Sequence, residues 1–141
     1  MVGYLKKYIW LVLILFPFSG MSQNKLSVVV HGVKSSIGNI NIAIYNKSEG
    51  FLKFEEVYKV ERITATEVTT HFKISDLPKG EYAMAIFHDE NENDKLDTNW
   101  LGIPKEPIAF SNAKLKTFGP PSYKECAFNL NKDLELKMEF N

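Results

Sequence analysis

Leu134-Glu135-Leu136-Lys137-Met138-Glu139-Phe140 alternates apolar and charged residues without a break. A period of two belongs to a β-strand, whose successive side chains point to opposite faces. Such a strand buries Leu134, Leu136, Met138 and Phe140 in a core and leaves Glu135, Lys137 and Glu139 in water. The same pattern recurs upstream. Leu26, Val28 and Val30 alternate with Ser27, Val29 and His31, and Ile40, Ile42 and Ile44 with Asn41, Ala43 and Tyr45. Val68, Thr70, Phe72 and Ile74 share one face, opposite Thr69, His71 and Lys73. Residues 58–64 and 126–130 add two further strands, the latter with Cys126, Phe128 and Leu130 on its core side.

Residues 82–88 read differently. Tyr82, Met84 and Ile86 lie on one side and Ala83, Ala85 and Phe87 on the other. Apolar residues on both faces indicate a central strand covered from both sides. Turn residues punctuate the strands at 34–38, 46–50, 75–80 (with Pro78 and Gly80) and 131–133. Residues 26–33 and 39–45 are expected to form a hairpin, and 51–57 one or two helical turns. Together these features predict an all-β fold: a two-sheet β-sandwich of about seven strands, immunoglobulin-like or transthyretin-like. The 141-residue length suits one domain, here residues 23–141.

The N-terminus is set apart. Lys6 and Lys7 precede an eleven-residue apolar run at 8–18, and Gly20 and Ser22 place small residues before Gln23. That order is a secretory signal peptide over residues 1–22. A membrane anchor would need about 20 apolar residues, so no membrane span is expected after cleavage. The expected location is secreted or periplasmic. Losing Lys6 and Lys7 leaves fifteen basic residues against seventeen acidic ones, which implies no attraction to nucleic acid. Cys126 is the single cysteine, so no internal disulfide can form.

Residues 88–123 form the one long stretch without periodicity. A loop of that length in a small domain is usually functional when it is ordered. Its first part, Asp89-Glu90-Asn91-Glu92-Asn93-Asp94-Lys95-Leu96-Asp97, follows most of a calcium-loop pattern. Oxygen-bearing side chains recur at alternate positions, as a hard cation with six to eight oxygen ligands requires. The expected ligands of Ca²⁺ are Asp89, Asn91, Asn93, the Lys95 carbonyl and Asp97. Asp94 stands where such loops carry glycine, and Trp100 where they carry a bidentate Glu, so Asn99 or Glu106 would complete the set. The alternative is a solvated, Asx-rich turn. Further on, Trp100, Phe110, Phe118 and Tyr123 either line a binding surface or pin the loop down as a small satellite core.

Nothing in the chain assembles a catalytic set. His31, His71 and His88 are scattered, and Ser111 and Ser122 have no evident His/Asp partner. No G-x-S-x-G or phosphate-binding loop occurs. Cys126 reads as a buried, inert thiol.

The string from Leu77 through Asp89 to Trp100-Leu-Gly-Ile-Pro-Lys-Glu-Pro107, with Phe110-Ser-Asn and Phe118-Gly-Pro-Pro-Ser-Tyr123, closely resembles a secreted bacterial family catalogued as domain of unknown function 2141. The resemblance covers nearly all of the chain beyond residue 22. It implies export and a transthyretin-like sandwich, with no established activity. Family members usually carry glycine at the position of Asp94. The expected function is a non-enzymatic binding or structural module for an envelope or extracellular ligand, with the long loop as recognition surface. An envelope-polymer hydrolase using loop carboxylates is the alternative.

Overall fold

The alternating segments become strands in the computed structural model, which describes residues 24–141. The signal-peptide reading of residues 1–22 lies outside the described residues. The strands are β1 (Leu26–Val33), β2 (Asn39–Tyr45), β3 (Lys59–Thr64), β4 (Val68–Ile74), β5 (Gly80–Asp89), β6 (Ile108–Phe110), β7 (Phe128–Leu130) and β8 (Leu134–Glu139). A 3-10 turn at Phe54–Glu56 and a four-residue helix, α1 (Tyr123–Cys126), complete the elements. None of the described helices is long and apolar enough to cross a membrane.

Two sheets face each other. One has the order β4-β1-β8; the other runs β3-β2-β5-β6, with β7 also paired to β5. Leu26, Val28 and Val30 of β1, Ile40, Ile42 and Ile44 of β2, Met84 and Ile86 of β5, and Leu136 and Met138 of β8 meet in the core between them. Removing each such side chain from water stabilises the fold by roughly 1.5–3 kcal/mol. Phe140, one residue past β8, is buried in the same core, as the alternation predicted.

Four expectations need correction. The 88–123 stretch is not strand-free: β6 interrupts it and pairs Ala85–Phe87 with Ile108–Phe110, bringing the expected count of about seven strands to eight among the described residues. The unbroken loop is therefore two loops around a short strand. Strands β1 and β2 make no hairpin: β1 pairs with β4 and β8, whereas β2 pairs with β3 and β5. Alternation specifies which face of a strand is buried, and a sandwich can satisfy that face across the sheets as well as within one. Val68 does not share the inner face of β4. Its backbone sits at φ 71° and the β1–β4 register slips between His31 and Val33, which turns Val68 out to solvent. Finally, Cys126 belongs to α1 rather than to a strand shared with Phe128 and Leu130.

A second, smaller core lies on the outer face of the larger sheet. Tyr45, Ala83, Ile108, Phe110, Tyr123 and Cys126 form it. Phe51 closes it with edge-on contacts to Tyr45 at 5.1 Å and Tyr123 at 5.7 Å between ring centroids. Helix α1 is brought onto this core by a local signal. The backbone N–H and hydroxyl of Ser122 both donate to Glu125 Oε2, at 2.8 and 2.7 Å. Glu125 also pairs with Lys116, and these contacts hold its carboxyl down to about 2, the Lys116 hydrogen bond contributing most.

Candidate functional site

The acidic turn hangs from the end of β5. Asp89 is fully buried, and its carboxylate accepts hydrogen bonds from the backbone N–H groups of Asn93 (3.2 Å) and Asp94 (2.8 Å) and from Asn41 Nδ2 (3.0 Å). This folds the chain back on itself within five residues. Asp94 takes the left-handed conformation at φ 61°, where glycine would sit without strain. Gly38 makes room for the turn: at φ +73°, a Cβ there would collide with the Asp89 carbonyl oxygen.

Asp97 is drawn to the centre of the turn. Asn91 Nδ2 donates to it at 2.7 Å and Asn93 Nδ2 at 3.1 Å. Toward Asp97 these amide groups act as a cation would. The oxygens of the same amides accept from the Asn93 and Lys95 N–H groups, at 3.1 and 2.9 Å, so turning an amide to present its oxygen to a cation would give up that backbone hydrogen bond. Of the two residues considered for the last ligand, Asn99 caps its own turn by accepting from Leu101 and Ile103 N–H. Glu106 instead reaches the acidic turn, accepting from the Asp97 N–H at 2.9 Å. Burial raises the Glu106 carboxyl above its ordinary value, and the charges of Asp89 and Asp97 push the same way. Among the described residues, no three His, Cys, Asp or Glu side chains stand close enough to hold a metal by themselves. A cation here would depend on the amide and carbonyl oxygens as well.

Beside the turn, the outer face of the larger sheet carries an open groove of about 1310 Å³. Its floor is low because Ala43 and Ala85 sit directly opposite each other on β2 and β5. One wall is the strand-free segment 94–104, with Leu96, Leu101 and Ile103; the other is the 115–120 segment, and Phe54 and Val60 close the far side. Trp100 and Phe118 belong to these two segments and are 90% and 96% exposed, but neither side chain is among the residues that line the groove. Most charged groups of the groove hold partners within the chain, Arg62 with Asp94, Lys116 with Glu125, and Glu61 with Lys59, whereas Lys95 makes no ion pair among the described residues.

The four aromatic residues of the expected binding surface therefore divide. Trp100 and Phe118 are exposed on the segments beside the groove, whereas Phe110 and Tyr123 are 6% and 8% exposed and belong to the smaller core. The satellite-core reading describes the second pair. What the sequence reading missed is the groove itself. Its signal was the two alanines at outward positions of adjacent strands, too small to cover the sheet.

The remaining polar residues are structural. His88 is buried, donates from Nε2 to the Ile37 carbonyl at 2.8 Å and stacks on Phe140; its Nδ1 has no hydrogen-bond partner. His31 Nδ1 lies 3.3 Å from the Thr69 hydroxyl. Ser111, fully buried, receives the Met84 N–H at 2.9 Å and donates to the Cys126 carbonyl at 2.6 Å, tying β5 to the loop beneath α1. Burial pushes the Cys126 thiol up to about 11, which leaves it protonated and unreactive at neutral pH.

The model of the family described as "Uncharacterized protein conserved in bacteria (DUF2141)" matches residues 28–137. Neither a curated protein nor a solved structure matches the chain.

Proposed function

The chain belongs to the DUF2141 family, and from that premise we propose that it is an exported, non-enzymatic binding module whose recognition surface is the groove on its larger sheet. One observation carries this reading. Phe54, Val60, Leu101 and Ile103, each more than half exposed, line one apolar trough. A contiguous apolar patch in water is costly to keep soluble and usually marks an interaction site. The direct test fills the floor. Ala43→Phe adds bulk at a half-buried position on the edge of the smaller core, away from the core between the sheets. An apolar fluorescent probe should bind the wild type and lose its signal in Ala43→Phe, and envelope components retained by immobilised wild type should wash through the variant. Equal binding by both proteins would reject the groove as the site.

The acidic turn supports the groove. Asp94, Lys95 and Leu96 belong both to the groove wall and to the candidate Ca²⁺ loop of Asp89, Asn91, Asn93, Lys95 and Asp97. Calcium there would replace the amide donors on Asp97 and fix the wall, with Glu106 as the added carboxylate. The oxygen-rich ligand set suits the weak range of extracellular modules, with Kd about 10⁻⁴–10⁻³ M. Calorimetric titration with millimolar calcium should show binding that Asp97→Ala abolishes and Glu90→Ala retains, since Glu90 bonds to Ser35 instead. No heat in the wild type would leave the turn as an Asx-rich cap held by its own hydrogen bonds. Export itself is checked by mass spectrometry of the processed protein, which should begin near Gln23; an intact Met1 would reject it.

A further inference from the structure

We infer that the groove takes a long-chain carboxylate, its hydrocarbon on the alanine floor and its charged head at Lys95. The inference rests on the groove being the recognition surface and names the class of ligand. Charge, polarity along the floor and the width of the floor select it.

Charge sets the head. The charged side chains lining the groove are Glu61, Arg62, Asp94, Lys95 and Lys116. Arg62 is matched by Asp94, Glu61 by Lys59 and Lys116 by Glu125. Lys95 is left as the groove-lining charge with no ion pair among the described residues. Its acidic neighbours are engaged elsewhere: Asp89 by backbone N–H groups, Asp97 by the Asn91 and Asn93 amides, and Glu90 by Ser35. Glu92 does not line the groove. A cationic head would meet Lys95 as a like charge, and a multiply charged anion would have to break one of the pairs. A single negative charge completes the balance.

The sheet register grades the floor from polar to apolar. At the end beside the acidic turn, Arg62, Asn41 and Phe87 stand abreast on β3, β2 and β5. Two residues along, the row is Val60, Ala43, Ala85 and Phe110, without a polar side chain. Arg62 holds Asp94, so Lys95, next in the chain, enters at the polar end. The apolar lining continues through Leu52 and Phe54. An amphiphile has the same order, a charged head followed by hydrocarbon.

Width sets the tail. Val60 and Phe110 border the two alanines, so the low floor is two strands across, about 10 Å. An α-helix with its side chains, about 10–12 Å in diameter, would not settle between those borders. An extended hydrocarbon chain lies there along the strands.

The test is calorimetric titration of the full chain, produced with its own leader and purified as the cell processes it, with chelator present and every ligand below its micelle concentration. The probes are octanoate, dodecanoate, dodecanol and dodecyltrimethylammonium. Dodecanoate should bind about tenfold or more tightly than octanoate, because its longer chain removes more apolar surface from water. Dodecyltrimethylammonium should bind at least tenfold more weakly than dodecanoate. Lys95→Glu should weaken dodecanoate about tenfold and leave dodecanol unchanged, which shows the trough intact. Lys73→Glu makes the same charge change on the other sheet, outside the groove, and should alter neither. Dodecanol bound as tightly as dodecanoate, or dodecanoate binding indifferent to Lys95→Glu, would overturn the inference by removing charge from recognition. So would dodecanoate binding that survives Ala43→Phe, or no dodecanoate binding at all. The apolar probe separates that last failure from failure of the groove. If the probe binds and Ala43→Phe removes it, the groove stands as the recognition surface for another ligand and only the carboxylate is lost. If the probe does not bind, the groove reading falls as well.

Discussion

The two faces of the larger sheet are built from the same strands and end in different states. On the inner face, Ile40, Ile42, Ile44, Met84 and Ile86 pack against the smaller sheet and are almost completely buried. On the outer face, one half is closed and the other open. Tyr45, Ala83, Ile108 and Phe110 lie under α1, Tyr123 and Phe51, whereas Ala43, Ala85 and Phe87, half-buried at the edge of that core, lie under the groove. The boundary falls within β5, between neighbours of the same parity. The difference shows that an apolar face is not by itself a core. It becomes one only where another element has the length and the anchor to cover it. Here the anchor is Ser122–Glu125, which starts α1 over one half, while the 94–104 segment is held at Asp94 by Asp89 and at Asp97 by Glu106 and stays to one side.

The sharpest test of this division starts with the inner face. Leu136→Ala removes a side chain buried between the sheets and should cost about 2–5 kcal/mol, read as a shift of the urea midpoint. A midpoint that does not move would mean the inner face is no better packed than the groove. The closed half of the outer face should respond next. Ser111→Ala strips the buried hydroxyl that joins Met84 to Cys126 and should cost about 1–3 kcal/mol. Cys126 gives a second readout there, since its buried thiol should resist alkylation in the native protein and label faster in the variant. Native-state labelling as fast as in the unfolded chain would show that this half is open too.

Calcium should have a smaller effect on stability. Ion binding at tenfold above Kd adds about 1.4 kcal/mol, seen as a rise of a few degrees in the melting temperature that a chelator reverses. No response would separate the acidic turn from the folding of the groove wall. The smallest effect belongs to the open half. Trp100→Ala and Phe118→Ala should change stability by about 0.5 kcal/mol or less, because these side chains bury almost nothing. A larger loss would mean that they pack within the chain.

Much of the scaffold was legible from local pattern. The strands followed alternation to within a residue or two, because the side-chain period of a strand is fixed by its backbone geometry. The acidic turn was also legible: Asp94 adopts the left-handed conformation its position calls for, and Asp97 is gathered in by Asn91 and Asn93. Even α1 left a mark in Ser122-x-x-Glu125, a pairing that satisfies the helix start and that alternation alone overlooks. The strand β6 left none, since Ile108-Ala109-Phe110 is too short to show a period.

The sequence by itself determined which residues are inward on each strand, where the chain turns, and which oxygens are strung along residues 89–97. Those properties depend on neighbours within a few positions. Tertiary structure alone decided that β1 and β2 part into different sheets, that Phe110 and Tyr123 are core while Trp100 and Phe118 are not, and that two alanines forty-two residues apart, Ala43 and Ala85, form one floor. Pairing, coverage and concavity are set by which distant segments compete for the same face, and no local period records the outcome of that competition.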